Sequence, residues 1–327
     1  MPEGGGPMAM PFPSGHALLD LLARAPYGVR QGLLGTAYLL VPRRLPGLIP
    51  LALATLRDLP RVKHPIVPDP SMALDVPDGF CGLAGRIGVP ELLEGYRRGL
   101  FAMSHIGPLK WWAPRHRMVL FFDQTRIEKN TRRLIRNGKF TVTFDRAFRD
   151  VLRNCAEPRP GATPLTWLTP RMQALFEDAH EQGHAHSVEV WEDGALVGGL
   201  YGLAVGRVFF TESQFHTARD SSKIGFAVFN RHLQAWGFAM NDGKFPTRYL
   251  GSSGFAPITR AEFSVLTQRH GSQPGYVGRW QTDPELMDDK WQPEADGGTK
   301  RGHVLPHGTA CPYSVEELLT TQRSCTW

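Results

Sequence analysis

The run from His186 to Phe215, HSVEVWEDGALVGGLYGLAVGRVFFTESQF, restricts the fold more than any other stretch. Asp193-Gly194 separates two runs rich in apolar and β-branched residues, and Gly206-Arg207 marks a second tight turn. The pattern predicts three consecutive antiparallel strands. The last, Val208-Phe209-Phe210, delivers Thr211-Glu212-Ser213 at its end. A carboxylate placed directly after three apolar residues is either a paired core charge or a group whose task needs low dielectric. Glycines at 198, 199 and 202 weaken the middle strand, which predicts close approach by a ligand or by another backbone. A site at a strand edge and an ordinary glycine-rich meander both fit these residues.

At 327 residues the chain can hold two domains, and a composition 42% hydrophobic and 21% charged is ordinary for a globular protein in water. Its net charge of +6 and pI near 9.3 admit an acidic partner. Cys81, Cys155, Cys311 and Cys325 stand far apart with no CxxC pair, which reads as reduced thiols in a cytoplasmic protein. His180, His184 and His186 have no carboxylate or thiol at ligand spacing, so no metal is expected. The meander holds no phosphate-loop motif, so neither nucleotide hydrolysis nor a coenzyme A donor, and no other cofactor, is expected.

Residues 1–15, Gly- and Pro-rich without a signal-peptide pattern, are expected to be disordered. His16 to Leu59 is helical in pattern, broken by Pro26, Pro42, Pro46 and Pro50. Its longest apolar run, Gly32 to Val41, is too short to span a bilayer. It predicts a bundle packed on the main body, with an amphipathic segment on a membrane surface as the alternative. After a proline-punctuated linker, Pro90 opens a helix with Leu92, Leu93 and Tyr96 on one stripe and Gly99 as its stop. Trp111-Trp112 between basic residues could stack a nucleobase or sit in a core.

Thr125 and Glu128 make a capping box for the next helix, and Gly138 supplies its stop. At about 100° per residue, Arg126, Lys129, Arg132, Arg133 and Arg136 fall within an arc of about 120°. Five cations so close repel one another, which points to a polyanion such as a phosphate backbone. Further helices are predicted from Thr169-Pro170 to Gly183 and from Asp220 or Ser221 to Gly237. Residues 268–327, polar and aperiodic, read as a loosely attached tail.

Six blocks then stand in order: Tyr96-Arg97-Arg98-Gly99-Leu100-Phe101, Trp111-Trp112-Ala113-Pro114, Thr166-Trp167-Leu168, His186-Ser187-Val188-Glu189, Leu196 to Gly202 (LVGGLYG), and Glu212-Ser213-Gln214-Phe215. Over residues 79–266 they resemble the bacterial leucyl/phenylalanyl-tRNA–protein transferases. The resemblance implies an α/β (α+β) fold: an N-terminal extension, partly helical, over 1–75, and a small α/β domain with the basic helix over 76–138. An N-acetyltransferase-like catalytic domain over 139–267 and a poorly ordered tail over 268–327 follow.

It also implies transfer of Leu or Phe from its tRNA to a protein beginning with Arg or Lys, a step of N-end-rule degradation. The implied partners are aminoacyl-tRNA and an acceptor N-terminus, with no DNA and no integral membrane segment, and the enzyme acts as a monomer. Lys129, Arg132, Arg133 and Arg136 coincide with the family's tRNA-binding cluster, and Trp111 and Trp112 with tryptophans near the terminal adenosine. Leu200 and Phe209 match walls of the apolar amino-acid pocket. Glu212 and Asp242 match the active-site glutamate and aspartate, with Ser213, Gln214, Phe215 and Asn241 beside the substrate.

The family's Asp-x-Gln is Asp242-Gly243-Lys244 here, its Met after Glu-Ser is Gln214, and an apolar residue before the aspartate is Asn241. Phe-Pro-Trp after the Arg-Arg helix is Phe101-Ala102-Met103. The reaction expected is aminolysis, with Glu212 and Asp242 holding the acceptor amine and Lys244 pairing with a carboxylate or steadying the oxyanion. Two alternatives fit the departures: a small-molecule, lipid or cell-wall acceptor, and a non-catalytic tRNA-binding protein.

Overall fold

The computed structural model describes residues 26–105, 107–157, 165–293 and 314–321. The expected disorder of residues 1–15 lies outside them. Helices α1 (Tyr27–Leu39) and α2 (Leu45–Asp58) come first. Next are β1 (Phe80–Leu83), α3 (Val89–Arg97), β2 (Phe101–Met103) and β3 (Lys110–Trp112). β4 (His116–Leu120), α4 (Lys129–Arg136), β5 (Thr141–Phe144), α5 (Phe148–Ala156) and α6 (Pro170–Glu181) follow. The meander is β6 (Ala185–Glu192), β7 (Ala195–Val205) and β8 (Val208–His216). After it come α7 (Ser221–Ala235), β9 (Met240–Lys244), α8 (Arg248–Ser252), β10 (Ala256–Thr259), α9 (Arg260–Gly271) and α10 (Val315–Thr321).

The strands form a three-stranded sheet, β1-β3-β2, and a seven-stranded sheet, β10-β4-β9-β8-β7-β6-β5. Neighbours in the large sheet are antiparallel except β8 and β9, which run parallel. With helices on both faces, the fold is mixed α/β, as expected. Asp193 and Gly194 both take positive φ, +51° and +79°, the turn that matches strand twist in a two-residue hairpin.

The meander's glycines have an explanation other than a ligand. A methyl group at Gly202 would come within 2.6 Å of the Phe209 ring, and one at Gly198 within 2.6 Å of Ser221 Oγ. Close packing by the protein's own side chains requires the glycines.

The side chains of β8 alternate between two cores. Phe210 joins Tyr96, Trp111, Phe148, Phe176 and Tyr201 under α3, α5, α6 and the small sheet. Phe209 joins Leu120, Val188, Phe229, Leu233 and Trp280 under α7. Each buried phenylalanine contributes roughly 1.5–3 kcal/mol of transfer free energy. α6 shows how sequence produces this packing. Thr169 Oγ1 accepts from Met172 N, Pro170 sits in the first turn, and Met172, Leu175, Phe176 and Ala179 are all buried.

Three expectations need correction. β4 lies between β9 and β10 in the large sheet, so the sheets do not divide at residue 138, and the first core is shared between them. Residues 125–128 are not helical: Glu128 caps α4 without a side-chain hydrogen bond and pairs instead with Lys223 at 2.9 Å. Residues 268–293 are not a loose tail. Trp280 is 1% exposed, stacks on His186 with centroids 3.5 Å apart, and donates its backbone N–H to Asp145 Oδ2 at 2.8 Å. Two large aromatics, Trp280 and Trp291, anchor that segment without any periodicity for sequence reading to detect.

Candidate active site

The site lies where the one parallel pair of strands among the described residues separates. Val208, Phe209 and Phe210 pair in register with Met240, Asn241 and Asp242, and the pairing stops there. Each strand then carries an extra residue. Against β7, the register steps from Gly202–Thr211 to Tyr201–Ser213 and skips Glu212. Against β4, it steps from Val119–Asp242 to Met118–Lys244 and skips Gly243. Bulges turn a strand and re-aim its side chains, and these two turn Glu212 and Lys244 toward each other. Lys244 holds φ at +63°, a conformation unusual for a residue with a Cβ, pinned by its N–H donating to Asp242 Oδ1 at 3.0 Å.

Lys244 Nζ lies 2.7 Å from Glu212 Oε1 and donates to Thr211 O at 2.7 Å. Tyr96 Oη donates to the same Glu212 Oε1 at 2.7 Å. Burial, reinforced by the Glu212 charge, holds the Tyr96 phenol well above its ordinary range, so it stays a donor. Glu212 Oε2 is buried and receives no hydrogen bond among the described residues. A buried carboxylate oxygen without a donor costs a few kcal/mol unless a ligand supplies one.

Asp242 differs. It is fully buried, and Arg117, 1% exposed, grips both of its oxygens, through Nε at 3.1 Å and through Nη2. The guanidinium also donates to Gly99 O at 2.9 Å and lies 4.2 Å from the Phe263 ring centroid. The four charges therefore form two ion pairs, one sealed and one with an oxygen to spare.

A family model described as leucyl/phenylalanyl-tRNA protein transferase matches residues 119–268. A leucyl/phenylalanyl-tRNA–protein transferase of Pseudomonas syringae pv. syringae is 43% identical over 203 residues, 62% of this chain and 88% of that protein. One from Stutzerimonas stutzeri is 45% identical over 203 residues, 62% of this chain and 89% of the relative. One from Cellvibrio japonicus is 42% identical over 221 residues, 67% and 94% of the two chains. The chain belongs to the leucyl/phenylalanyl-tRNA–protein transferase family.

The fold places Glu212, Asp242 and Lys244 side by side, but Asp242, expected to help hold the acceptor amine, has both its oxygens occupied. Trp111 and Trp112 are core residues. Trp111 is fully buried with Nε1 donating to Ile66 O at 2.5 Å, and Trp112 is 4% exposed with Nε1 donating to Met103 O at 2.9 Å. Trp111 lies wholly within the core, whereas Trp112 borders a cavity of about 530 Å³ shared with Met103, Pro108, Leu48 and Leu51. Leu200 and Phe209 lie in the α7-side core, on the sheet face opposite Tyr96 and Tyr201. Asn241 bonds Thr211 Oγ1 at 2.8 Å and Asn230 Oδ1 at 3.0 Å, joining β8 to its neighbours with no exposed surface. Ser213, Gln214 and Phe215 are half-buried along the end of β8.

Two residues of the site escaped sequence reading. Tyr96 was absorbed into a helix stripe. Arg117 carried the missed signal, a cation opening the apolar strand Arg117-Met118-Val119-Leu120 that must bring its own carboxylate.

On the basic helix, Lys129, Arg133 and Arg136 are exposed and Arg132 is half-buried. Arg132 donates to Asp289 O and Trp291 O, both at 2.8 Å, and Arg136 pairs with Asp289 at 3.3 Å. Leu134 and Ile135 pack on the α7-side core. The ridge thus rides the face opposite Glu212, but its start touches the residues that follow β8: Asn130 Nδ2 donates to Asp220 Oδ2 at 3.1 Å.

Proposed function

We propose that this chain transfers Leu or Phe from aminoacyl-tRNA to the N-terminal Arg or Lys of an acceptor protein, in the cytoplasm, as a step of N-end-rule degradation. The observation that carries the reading is the buried Glu212 Oε2, without a donor, at the divergence of β8 and β9. The reaction is aminolysis. The acceptor's neutral α-amine attacks the ester carbonyl, a C–N bond forms, and the bond from carbonyl carbon to the ribose oxygen breaks. The amine's proton passes to Glu212 or to the leaving oxygen. The ester is already activated, so positioning supplies much of the effect, of the order of several kcal/mol.

In this reading Glu212 Oε2 accepts from the incoming amine while Lys244 and Tyr96 fix Oε1. Lys244 stands where the family has glutamine, and its Nζ is within reach of the developing oxyanion. Asp242 acts through Lys244, whose backbone it holds, as a positioning residue. The tRNA body lies along Lys129, Arg133 and Arg136, and its acceptor end rounds the end of the sheet at Asp220 toward Glu212. The apolar aminoacyl group or terminal base is received in the cavity beside Trp112 and Met103, the latter on the strand that also carries Phe101, whose ring centroid lies 5.7 Å from Lys244 Nζ. A parallel pair splaying within an otherwise antiparallel sheet supports the N-acetyltransferase-like reading, with the catalytic unit beginning at β4 and including the Trp280 segment.

Transfer of radiolabelled Leu and Phe from charged tRNA to an Arg-starting peptide tests this, with Lys244→Gln alongside the natural protein. Both forms are expected to transfer. Activity confined to the Gln form would show that the natural chain is not this enzyme.

A further inference from the structure

The first two helices turn apolar side chains to solvent. On α2, Leu45, Ile49, Leu53 and Leu56 are 46%, 71%, 63% and 62% exposed, at spacings that place all four on one stripe. On α1, Val29 and Leu33 are 54% and 55% exposed at the same spacing, with Leu40 just past its end at 59%. The opposite side of α2 is packed, because Leu51 and Ala54 lie against the core. Leu48, Leu51 and Thr55, with Leu56 at the edge of the stripe, line the cavity beside Met103 and Trp112. The outward stripe therefore exceeds what core packing explains.

Charge narrows the occupant. From Tyr27 to Val67 there are six cationic residues, Arg30, Arg43, Arg44, Arg57, Arg61 and Lys63, against the single carboxylate of Asp58. This eighth of the sequence accounts for five of the six net positive charges of the whole chain. Asp58 is itself buried, taking Leu83 N at 3.1 Å and Arg57 Nε at 2.8 Å. Nucleic acid would satisfy the charge but gives Ile49 and Leu53 no apolar partner. The contrast with α4 is direct, since its outer face carries Lys129, Arg133 and Arg136 and no apolar stripe. Arg44 is itself buried and Arg57 pairs with Asp58, so it is the segment's net positive charge, with Lys63 exposed, that phosphates would meet. An anionic lipid surface satisfies both features, with acyl chains for the stripe. Spanning is excluded for these helices: α2 has 14 residues, about 21 Å at 1.5 Å each, and no described helix is long and apolar enough to cross a membrane.

We propose that α1 and α2 form a docking surface for an anionic bilayer, lying in the interface with Leu45, Ile49, Leu53 and Leu56 at the headgroup–acyl boundary. The inference does not depend on the transfer reaction. Co-sedimentation of the full chain with vesicles of phosphatidylcholine and phosphatidylglycerol, and with phosphatidylcholine alone, tests it. The natural protein should pellet with the anionic vesicles, less so at high salt, and remain in the supernatant with the neutral ones. Ile49→Glu with Leu53→Glu, both at exposed positions, should weaken partitioning roughly tenfold or more. The variant's thermal transition and tRNA binding should not change. A natural protein that ignores anionic vesicles overturns the proposal, as does a variant that binds them equally well. Loss of a dimer, or of tRNA binding, in the variant without any vesicle binding by the natural protein would assign the stripe to a second copy or to RNA.

Discussion

Arg117 reaches from β4 to a carboxylate that is sealed from water, and cutting that link leaves Asp242 charged and alone. Arg117→Met is expected to lower unfolding free energy by about 3–5 kcal/mol, whereas Arg117→Met with Asp242→Leu together should recover much of the loss. Urea denaturation measures both, and a single variant as stable as the natural protein would contradict the sealed pair. Tyr96→Phe removes one donor to Glu212 Oε1 and keeps the ring, so a fall of about tenfold in transfer with a loss of about 1.5–3 kcal/mol in stability is expected. Protons matter at His186. Burial holds its imidazole below the ordinary 6.5, against the opposing hydrogen bond and charge of Asp145. The unfolded chain takes up that proton first as pH falls. The contribution is therefore full above about 6.5 and is lost through the window below it. His232, also lowered by burial, adds with the same sign. Glu189, raised by burial, has the opposite sign, favouring the fold at low pH and losing that contribution as pH rises past its ordinary 4.5. His186→Asn should flatten the decline in stability between about pH 7 and 5, and an unchanged slope would place the titration elsewhere.

Among the elements, α6 was legible because cap, apolar spacing and terminal glycine all agree, and α7 because spacing and glycine do, although Asp220 at its start makes no side-chain cap. Gly183 and Gly237 take φ of +78° and +75° where each helix was expected to stop. α4 was legible at its end, with Gly138 at φ +64°, and not at its start. The Thr125–Glu128 pattern satisfies a capping box on paper, but Glu128 finds Lys223 on α7 and Arg126 N finds Ser253 O. Tertiary partners override a local cap, and sequence spacing holds no record of them. The five cations were also only partly free, because Asp289 reaches back from a stretch that looked unstructured. Neutral substitutions at Lys129, Arg133 and Arg136 should weaken aminoacyl-tRNA binding and reduce its salt slope by about 0.7–0.9 for each phosphate no longer neutralised. Binding measured across a salt series checks this, and an unaltered slope removes the ridge from the tRNA surface.

For the molecule as a whole, the meander, the α/β class and the family blocks were readable, and the placement of the site was not. β8 and β9 are joined through α7, so nothing local announces that they lie side by side and parallel. Nor does a bulge leave a trace in composition: Glu212 and Gly243 are only one residue too many for their strands. Trp111 shows the converse, since paired tryptophans among basic residues suit a nucleobase until the backbone of Ile66 and the rest of the core enclose them. The central claim is that the unengaged oxygen of Glu212 receives the acceptor amine. Single-turnover transfer from Leu-tRNA to an Arg-starting peptide, comparing the natural protein with Glu212→Gln at saturating tRNA, tests it most directly. The account predicts a rate at least about 100-fold lower in the variant, with tRNA affinity and folding intact. Equal rates in the two proteins, or a natural protein that leaves the peptide unmodified, would contradict it.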